Sequence, residues 1–516
     1  MSSPIHRQIC RADAAEMTNL QSGAGLIVVS NRLPVVLRWD EDSVCRIEPA
    51  SGGLVSALTP VLRDCGGTWV SWPGSGTEAP DPDALLRETA DRIGCRLRPV
   101  TLTEEEQHGF YHGFSNEIVW PLFHDLQSLC NFNPGYWRVY CAVNRKYAEA
   151  IAADAADGDF IWVHDYHLMN VAQELRRHRL SARIAFFLHI PFPPPDIFMK
   201  LPWRLPLLNA LLQYDLLGFQ TPRDQRNFVE CVRMLVTGVT IRGRPEACIT
   251  TLGQRKVRIG SFPISIDYGS FARRAAAVDV AGRAAGLRAL LPDRQLLLGV
   301  DRLDYTKGIP LRLKAFANAL ERYPQLREHV TLIQVVVPSR ADIPRYRELK
   351  AEIEQLVGKI NGRFTRPGGW VPIHYVFRSL VPADLLAYYR VAEIALVTPL
   401  KDGMNLVAKE YCACSIEQEC VLILSEFAGA AAQMRHDALL VNPYDVEGVA
   451  DAIHRAYAMD IAERRRRMRR MRRALREHDI FRWVDSFLHA AIGPDLPVFP
   501  PSTEESPLRR GGDSPD

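Results

Sequence analysis

Short apolar runs that close on polar residues recur along most of the chain. Residues 26–29 run into Ser30, Asn31 and Arg32, 160–163 into His164 and Asp165, 184–188 into His189, and 216–219 into Gln220 and Thr221. Further on, 296–300 run into Asp301 and Arg302, 332–337 into Pro338, Ser339 and Arg340, 394–397 into Thr398 and Pro399, and 421–424 into Ser425 and Glu426. Runs of this length, apolar on both faces and partly β-branched, predict buried parallel strands. Helical patterns separate them, for example over 315–323 and 345–357. Such alternation predicts an α/β chain with right-handed crossovers. The strands are too many for one compact sheet, so two doubly wound domains are expected, with a crossing point in 260–267 and the ligand in the cleft between them. Functional groups in such sheets lie just past the carboxyl ends of the strands, where the polar residues named above fall.

Composition narrows the class. The chain has 516 residues, 47% hydrophobic and 24% charged, an ordinary globular balance, and its net charge of +3 gives no whole-protein argument for nucleic acid or membrane. Its 11 cysteines form neither paired CxxC elements nor a Cys/His zinc spacing. Most are expected to be small buried hydrophobes in a reducing compartment, with Cys10, near an exposed end, as the exception. Residues 1–24 and 494–516 read as tails, the second rich in Pro, Ser, Gly and charge and expected to be disordered. The first tail lacks a continuous apolar segment, and no run of 18 apolar residues follows, so a cytoplasmic location is expected. From Glu463 to Arg473 the chain is nearly all arginine. Ile461, Met468, Met471 and Leu475 share one helix face there, which predicts an amphipathic surface helix with a solvated basic side.

The polar strand ends offer several candidate groups. Arg302 and Lys307, after one strand and beside a helix start, could stabilise the growing charge of a leaving diphosphate, or form an Asp–Arg surface network; both readings stand. Residues 402–405 read as a loop and Leu406 onward as a helix. There Gly403 would permit close backbone approach, free N–H groups would meet oxygen atoms, and Glu410 could accept from vicinal ribose hydroxyls. Alternatively Asp402 simply caps that helix. His164, His167 and His189 lack a clear third carboxylate for a metal, and hydrogen bonding to sugar hydroxyls is the better reading. Arg32 and Arg340, at different strand ends, could together clamp a phosphate. No GxGxxG, P-loop or GxSxG pattern occurs, and the lone Asp-x-Asp, Asp81 with Asp83, follows no strand.

Taken together these segments resemble the trehalose-6-phosphate synthases, a retaining glycosyltransferase family with the two-Rossmann GT-B fold. The match runs from about Leu26 to Leu488 through Val29-Ser30-Asn31-Arg32, Ser51-Gly52-Gly53-Leu54, Phe114-Ser115-Asn116 to Trp120-Pro121, Trp162-Val163-His164-Asp165-Tyr166-His167-Leu168, His189-Ile190-Pro191-Phe192-Pro193, Arg302 to Gly308 and Asp402 to Tyr411. The resemblance implies two Rossmann-like domains facing a central cleft. Residues 25–265 would form the acceptor domain, 266–475 the nucleotide-sugar domain, and 476–493 a helix packing back on the first. It further implies transfer of glucose from UDP-glucose to glucose 6-phosphate with retention and without metal or cofactor; a glycerol 3-phosphate acceptor or a catalytically silent regulatory homologue are the alternatives.

On the donor side, the resemblance implies that the loop of Gly52 and Gly53 closes over the donor and that Arg302 and Lys307 bind its diphosphate. The segment Asp402, Gly403, Met404, Asn405, Leu406, Val407, Ala408 and Lys409 would surround glucose and phosphate, with Glu410 on the ribose. His189 would contact the transferred glucose, and Leu380, where this sequence departs from the family, would meet the base through its backbone. Arg302, Lys307, His189 and Asp402 would thus carry catalysis. On the acceptor side, Arg32, Tyr111, Asp165 and Arg340 would bind glucose 6-phosphate, and Trp120 and Ile190 would set anomer selectivity. The segment 131–137 differs from better-known members and could alter acceptor fit. Small-molecule substrates, no nucleic-acid or membrane partner, and a homo-oligomer complete the expectation.

Overall fold

The computed structural model describes residues 25–39, 45–49, 55, 58–59, 62–63, 66–74, 89–91, 93–243, 247–251, 253–340, 343–365 and 369–493. Gly52, Gly53, the Asp81/Asp83 pair, Cys10 and both predicted tails lie outside these residues. The chain divides into two compact units. One runs from the first strand to Phe219 and adds Gln225–Gly260 and Ala491–Gly493; the other comprises Gln220–Asp224 and Ser261–Ala490.

The first unit is built on a nine-stranded sheet. Its strands are β1 (Leu26–Arg32), β4 (Thr68–Trp72), β5 (Arg96–Pro99), β6 (Phe160–His164), β7 (Arg183–Phe187), β8 (Leu216–Phe219), β9 (Thr240–Arg242), β10 (Ala247–Thr250) and β11 (Lys256–Ser261), while β2 (Val35–Trp39) and β3 (Cys45–Pro49) form a separate antiparallel hairpin. The order is β5-β4-β1-β6-β7-β8-β11-β10-β9, and every pairing from β5 to β8 is parallel. Counted along the sheet proper, its first six strands follow the order 3-2-1-4-5-6. Chain direction across the sheet therefore reverses between β1 and β6, and the crevice past their carboxyl ends is where such sheets take ligands. All five residues of β6 are buried, as expected for a central strand covered on both faces.

The second unit repeats this plan with β12 (Gln295–Arg302), β13 (Val330–Val337), β14 (Ile373–Phe377), β15 (Ile394–Val397), β16 (Val421–Ser425) and β17 (Leu439–Val441). Its order, β14-β13-β12-β15-β16-β17, is again 3-2-1-4-5-6 and parallel throughout. Its reversal lies between β12 and β15. The core on one side joins Leu297, Leu332, Val336, Ile394, Leu396 and Ile423 to the helices Ile309–Arg322, Pro344–Phe364 and Val446–Ala458. The first two of these helices are longer than the periodic segments 315–323 and 345–357 alone indicated. Among the described residues no helix is long and apolar enough to cross a membrane.

The arginine run corrects the sequence reading in part. It lies in the helix Ile461–Glu477, and Met468, Met471 and Leu475 are buried as the spacing predicts, whereas Ile461, at the first position of the helix, is exposed and Arg464 and Arg472 are buried. Arg464 donates to the carbonyls of Ala456 and Tyr457, in the last turn of the preceding helix, and of Met459 at its C-cap. Arg472 does the same for Cys412 and Ala413 at the end of the helix Leu406–Cys414, at 2.9 and 2.5 Å. Two of the arginines therefore brace helix ends rather than face water.

Candidate active site

In the second unit β12 ends in Arg302, which is exposed, and the chain turns at once into Asp304 and the short 3₁₀ segment Tyr305–Lys307. Asp304 is only 2% exposed. Its Oδ1 accepts from the backbone N–H of Thr306 and from the Thr306 hydroxyl, and its Oδ2 lies 3.5 Å from Nη1 of Arg340, beyond the end of β13. Burial alone would raise the Asp304 carboxyl, but Arg340, Lys307 and Arg302 outweigh it and hold the group below its ordinary range. One buried carboxylate thus lies within electrostatic reach of three cations at the carboxyl end of the central strand and pairs directly with Arg340. Arg340 is further fixed by the Tyr346 hydroxyl at 2.5 Å.

Lys307 reaches across the sheet reversal to Asp402, with Nζ 2.6 Å from Oδ2 and both side chains about one-seventh exposed (13% and 15%). Gly308 follows at φ 65°, and a Cβ there would stand 2.6 Å from the carbonyl oxygen of Thr398. Only glycine lets the β12 and β15 loops come this close. Asp402 does not cap the helix Leu406–Cys414, contrary to one sequence alternative. Asn405 is the cap, at φ 73°, accepting from the Ala408 N–H at 3.2 Å, while its Nδ2 donates to Asp402 at 3.1 Å. The 402–404 backbone is buttressed by the loop after β16: Asp402 N–H donates to Phe427, Gly429 N–H to Asp402 and Ala430 N–H to Met404. The predicted loop and helix start are therefore present, and the side chain of Asp402 is held by Lys307 and Asn405 beside them.

Two residues of that helix have distinct surroundings. Glu410 Oε2 accepts from the Tyr389 hydroxyl at 2.9 Å, and burial raises its carboxyl despite that bond. Lys409 is fully buried, its Nζ donating to the Ile264 carbonyl at 2.6 Å and to Gln433 Oε1 at 2.7 Å, and burial pushes its pKa down to about 7. The Lys409 ammonium is thus spent inside the unit. Leu406 and Val407 are half-buried in the first turn, Gly403, Met404 and Ala408 are buried, and Leu380 lies half-buried in the turn between β14 and the helix Pro382–Val391.

In the first unit the reversal between β1 and β6 gathers the acceptor-side candidates. Arg32, at the end of β1, places its guanidinium 5.3 Å from the Trp72 ring centre and 5.2 Å from that of Tyr111. Tyr111 stacks on His167 with the planes 9° apart. Tyr111 and Asn116 belong to a π-helix, His108–Val119, running into the turn of Trp120. Such wide helices are rare and concentrate at functional positions. Asn116 ties the π-helix together, donating to the Tyr111 carbonyl at 2.7 Å and accepting from the Tyr166 hydroxyl at 3.0 Å. Asp165 sits at φ 74° just past β6, and its Oδ1 accepts from the His189 N–H at 3.2 Å. His189 follows β7 and pairs with His164, Nε2 to Nδ1 at 3.2 Å, while Ile190 beside it is buried. Burial pushes the His189 imidazole down to about 3, so it is neutral and offers hydrogen bonds rather than charge.

Most of the described candidates follow strand ends, while Tyr111, Trp120 and Glu410 lie on helices. They fall into two sets: Arg32, Tyr111, Trp120, Asp165, His189 and Ile190 in one unit; Arg302, Lys307, Arg340, Asp402 and Glu410 in the other. Arg32 and Arg340 belong to different units. Sequence reasoning missed Asp304, whose burial no local pattern signals, and the π-helix, whose i→i+5 bonding has no simple periodic mark. The positive φ angles of Asp165, Arg340 (49°) and Asn405 were also invisible, although Asn is one of the few residues that adopts them readily.

A model of glycosyltransferase family 20 matches residues 24–492. The trehalose-6-phosphate synthase of Mycolicibacterium vanbaalenii is 44% identical over 473 residues, 91% of this chain and 96% of its own, and that of Mycobacterium tuberculosis is 43% identical, over 90% and 94%. Among solved structures, an E. coli trehalose-6-phosphate structure bound with UDP-2-fluoro glucose superposes with TM-score 0.82 at 36% identity, covering 91% of this chain and 99% of that one. The Burkholderia xenovorans α,α-trehalose-phosphate synthase (UDP-forming) in complex with glucose-6-phosphate gives 0.80 at 35% identity, over 91% and 100%. Two units built on parallel strands in the order 3-2-1-4-5-6, together with these likenesses, define a glycosyltransferase of the GT-B fold. Within that class, the chain belongs to glycosyltransferase family 20.

Proposed function

We propose that this chain transfers glucose from UDP-glucose to glucose 6-phosphate with retention, forming α,α-trehalose 6-phosphate and UDP without a metal. The observation that carries the reading is the cluster of Arg302, Lys307 and Arg340 around buried Asp304 at the carboxyl end of β12. A departing nucleoside diphosphate gains negative charge as the glycosidic bond breaks, and preorganised cations stabilise that change most. Arg302 and Lys307 take the diphosphate in this reading. Asp402, held by Lys307 and Asn405, meets sugar hydroxyls together with neutral His189; Gly403 to Lys409 serve through their backbone, and Glu410 holds the ribose. Gly52 and Gly53 bind the donor, and Leu380 meets the base.

Arg32, Tyr111, Asp165 and Arg340 bind the acceptor, its phosphate lying on the two arginines, with Trp120 and Ile190 selecting the anomer. The acceptor hydroxyl attacks on the face the diphosphate leaves, and a phosphate oxygen accepts its proton, so orientation and charge replace a carboxylate pair. We assign the acceptor to the N-terminal unit and the donor to the C-terminal one. A cytoplasmic homo-oligomer working on small molecules, with neither nucleic acid nor membrane as partner, completes the proposal, and light scattering tests its assembly. The deciding experiment sets UDP-, GDP- and ADP-glucose against glucose 6-phosphate and glycerol 3-phosphate in EDTA. Turnover is expected with UDP-glucose and glucose 6-phosphate; turnover only with glycerol 3-phosphate, or none without metal, refutes the reading.

A further inference from the structure

The imidazole of His164 contributes no contact to the chemistry described above, yet it is completely buried at the end of the central strand β6 and stands 3.2 Å, Nδ1 to Nε2, from His189. The two rings are tilted by 33° with centres 5.4 Å apart. The His164 ring is held by the Trp162 ring at 4.7 Å, and its strand pairs with β7 through Phe187, two residues before His189. Burial keeps both imidazoles neutral across the physiological range. Two neutral imidazoles joined through one nitrogen each share a single proton in that bond, so their tautomers are not independent. If His164 donates from Nδ1, His189 must carry its own proton on Nδ1. If His189 donates from Nε2, its Nδ1 is bare, and His164 carries a proton on Nε2. Among the described residues no hydrogen-bond partner reaches the buried Nε2 of His164. An orphaned buried N–H is among the rarest arrangements in folded proteins, which selects the first alternative.

We propose that His164 is a positioning residue that donates from Nδ1 to Nε2 of His189 and thereby fixes His189 as an Nδ1–H donor toward the transferred sugar. The sugar contact rests on the function proposed above; the proton assignment does not. Without His164 the His189 ring could take either tautomer and rotate, and a donor presented as an acceptor would face the sugar oxygen in half the population or more. A misplaced group near the reacting bond costs on the order of 10²-fold in rate. Asparagine is the informative replacement, because its Nδ2 occupies the place of Nδ1 and can donate in the same direction.

The test uses the full chain with 15N-labelled histidine, His189→Gln identifying the His189 signals. Imidazole 15N shifts distinguish protonated from bare nitrogens without any substrate. The wild type and His164→Asn are expected to show His189 protonated on Nδ1 and bare on Nε2, whereas His164→Leu should show mixed tautomers. In parallel, kcat should stay within severalfold of wild type in His164→Asn and fall about 10²-fold in His164→Leu, with the donor KM little changed. His189 protonated on Nε2 in the wild type, or an unaltered His189 tautomer in His164→Leu, overturns the proposal. If the tautomers are as stated but no donor and acceptor pair turns over, the functional reading fails and the proton assignment stands.

Discussion

Replacement of Lys409 by methionine turns a buried ammonium into a measurable pH dependence of stability. The group is fully buried with two neutral oxygens as partners, and burial lowers its pKa from 10.5 to about 7. At 1.36 kcal/mol per pKa unit, the charged form is disfavoured in the fold by about 5 kcal/mol. The sign follows from proton counting. Between pH 7 and 10.5 the unfolded chain keeps a proton on this residue that the folded chain has released, so raising the pH stabilises the fold, by up to about 1.4 kcal/mol per pH unit from this group. Below pH 7 both states are protonated and the burial cost is present in full. Methionine removes the dependence but leaves the Ile264 carbonyl and Gln433 without their donor, at about 1–3 kcal/mol for each unsatisfied group. The stability of Lys409→Met relative to wild type should therefore fall by about 2 kcal/mol between pH 7 and 9. Denaturant-dependent hydrogen exchange, read by mass spectrometry on peptides from the helix Leu406–Cys414 at pH 7, 8 and 9, isolates the C-terminal unit from the other. Parallel curves for the two proteins across that range would refute the reasoning.

Three further perturbations probe the cation cluster. Arg302→Ala and Lys307→Ala should each lower kcat by about 10²–10³-fold with the fold intact by circular dichroism, as for removal of one preorganised charge-stabilising donor; near-normal turnover in either sinks the diphosphate role. Arg340→Ala should chiefly raise the KM for glucose 6-phosphate, and an unchanged KM refutes its place in the phosphate clamp. Asp304→Asn leaves buried Arg340 without its paired carboxylate and should cost about 3–5 kcal/mol near neutral pH. Because the folded Asp304 pKa lies below its ordinary value, its contribution is complete above pH 3.8 and disappears as the pH falls through the folded pKa. In an acid titration followed by circular dichroism the gap between the two proteins should therefore begin to narrow as the pH falls below 3.8, and a constant gap would show that the carboxylate is not the source.

Much of the fold was legible. The runs at 26–29, 160–163, 296–300 and 394–397 are buried strands in the structure, because a strand covered on both faces must be apolar at nearly every position and that requirement is local. The helix start at Leu406 was legible for a similar reason: a glycine-containing loop followed by an apolar segment has few other solutions. The role of Asp402 was not. A carboxylate three or four residues before a helix is read as a cap, and only the chain's return through β12 brings Lys307 to it from 95 positions away. The arginine helix shows the same limit, since periodicity identified its apolar face but not that Arg464 and Arg472 turn inward to the carbonyls of other helices.

The sequence by itself thus determined two parallel α/β sheets and the strand ends at which polar groups emerge, since both follow from the short-range alternation of burial and exposure. Only the tertiary structure decided which of those groups act together. The order 3-2-1-4-5-6 places β12 beside β15, strands that are distant in sequence, and so sets Lys307 against Asp402; β1 lies between β4 and β6, with Arg32 against Trp72 at the end of β4 and against Tyr111 of the π-helix. The proton states of Lys409, His189 and Asp304 were decided there as well, because burial and neighbouring charge are properties of the packed unit and leave no local trace in the chain.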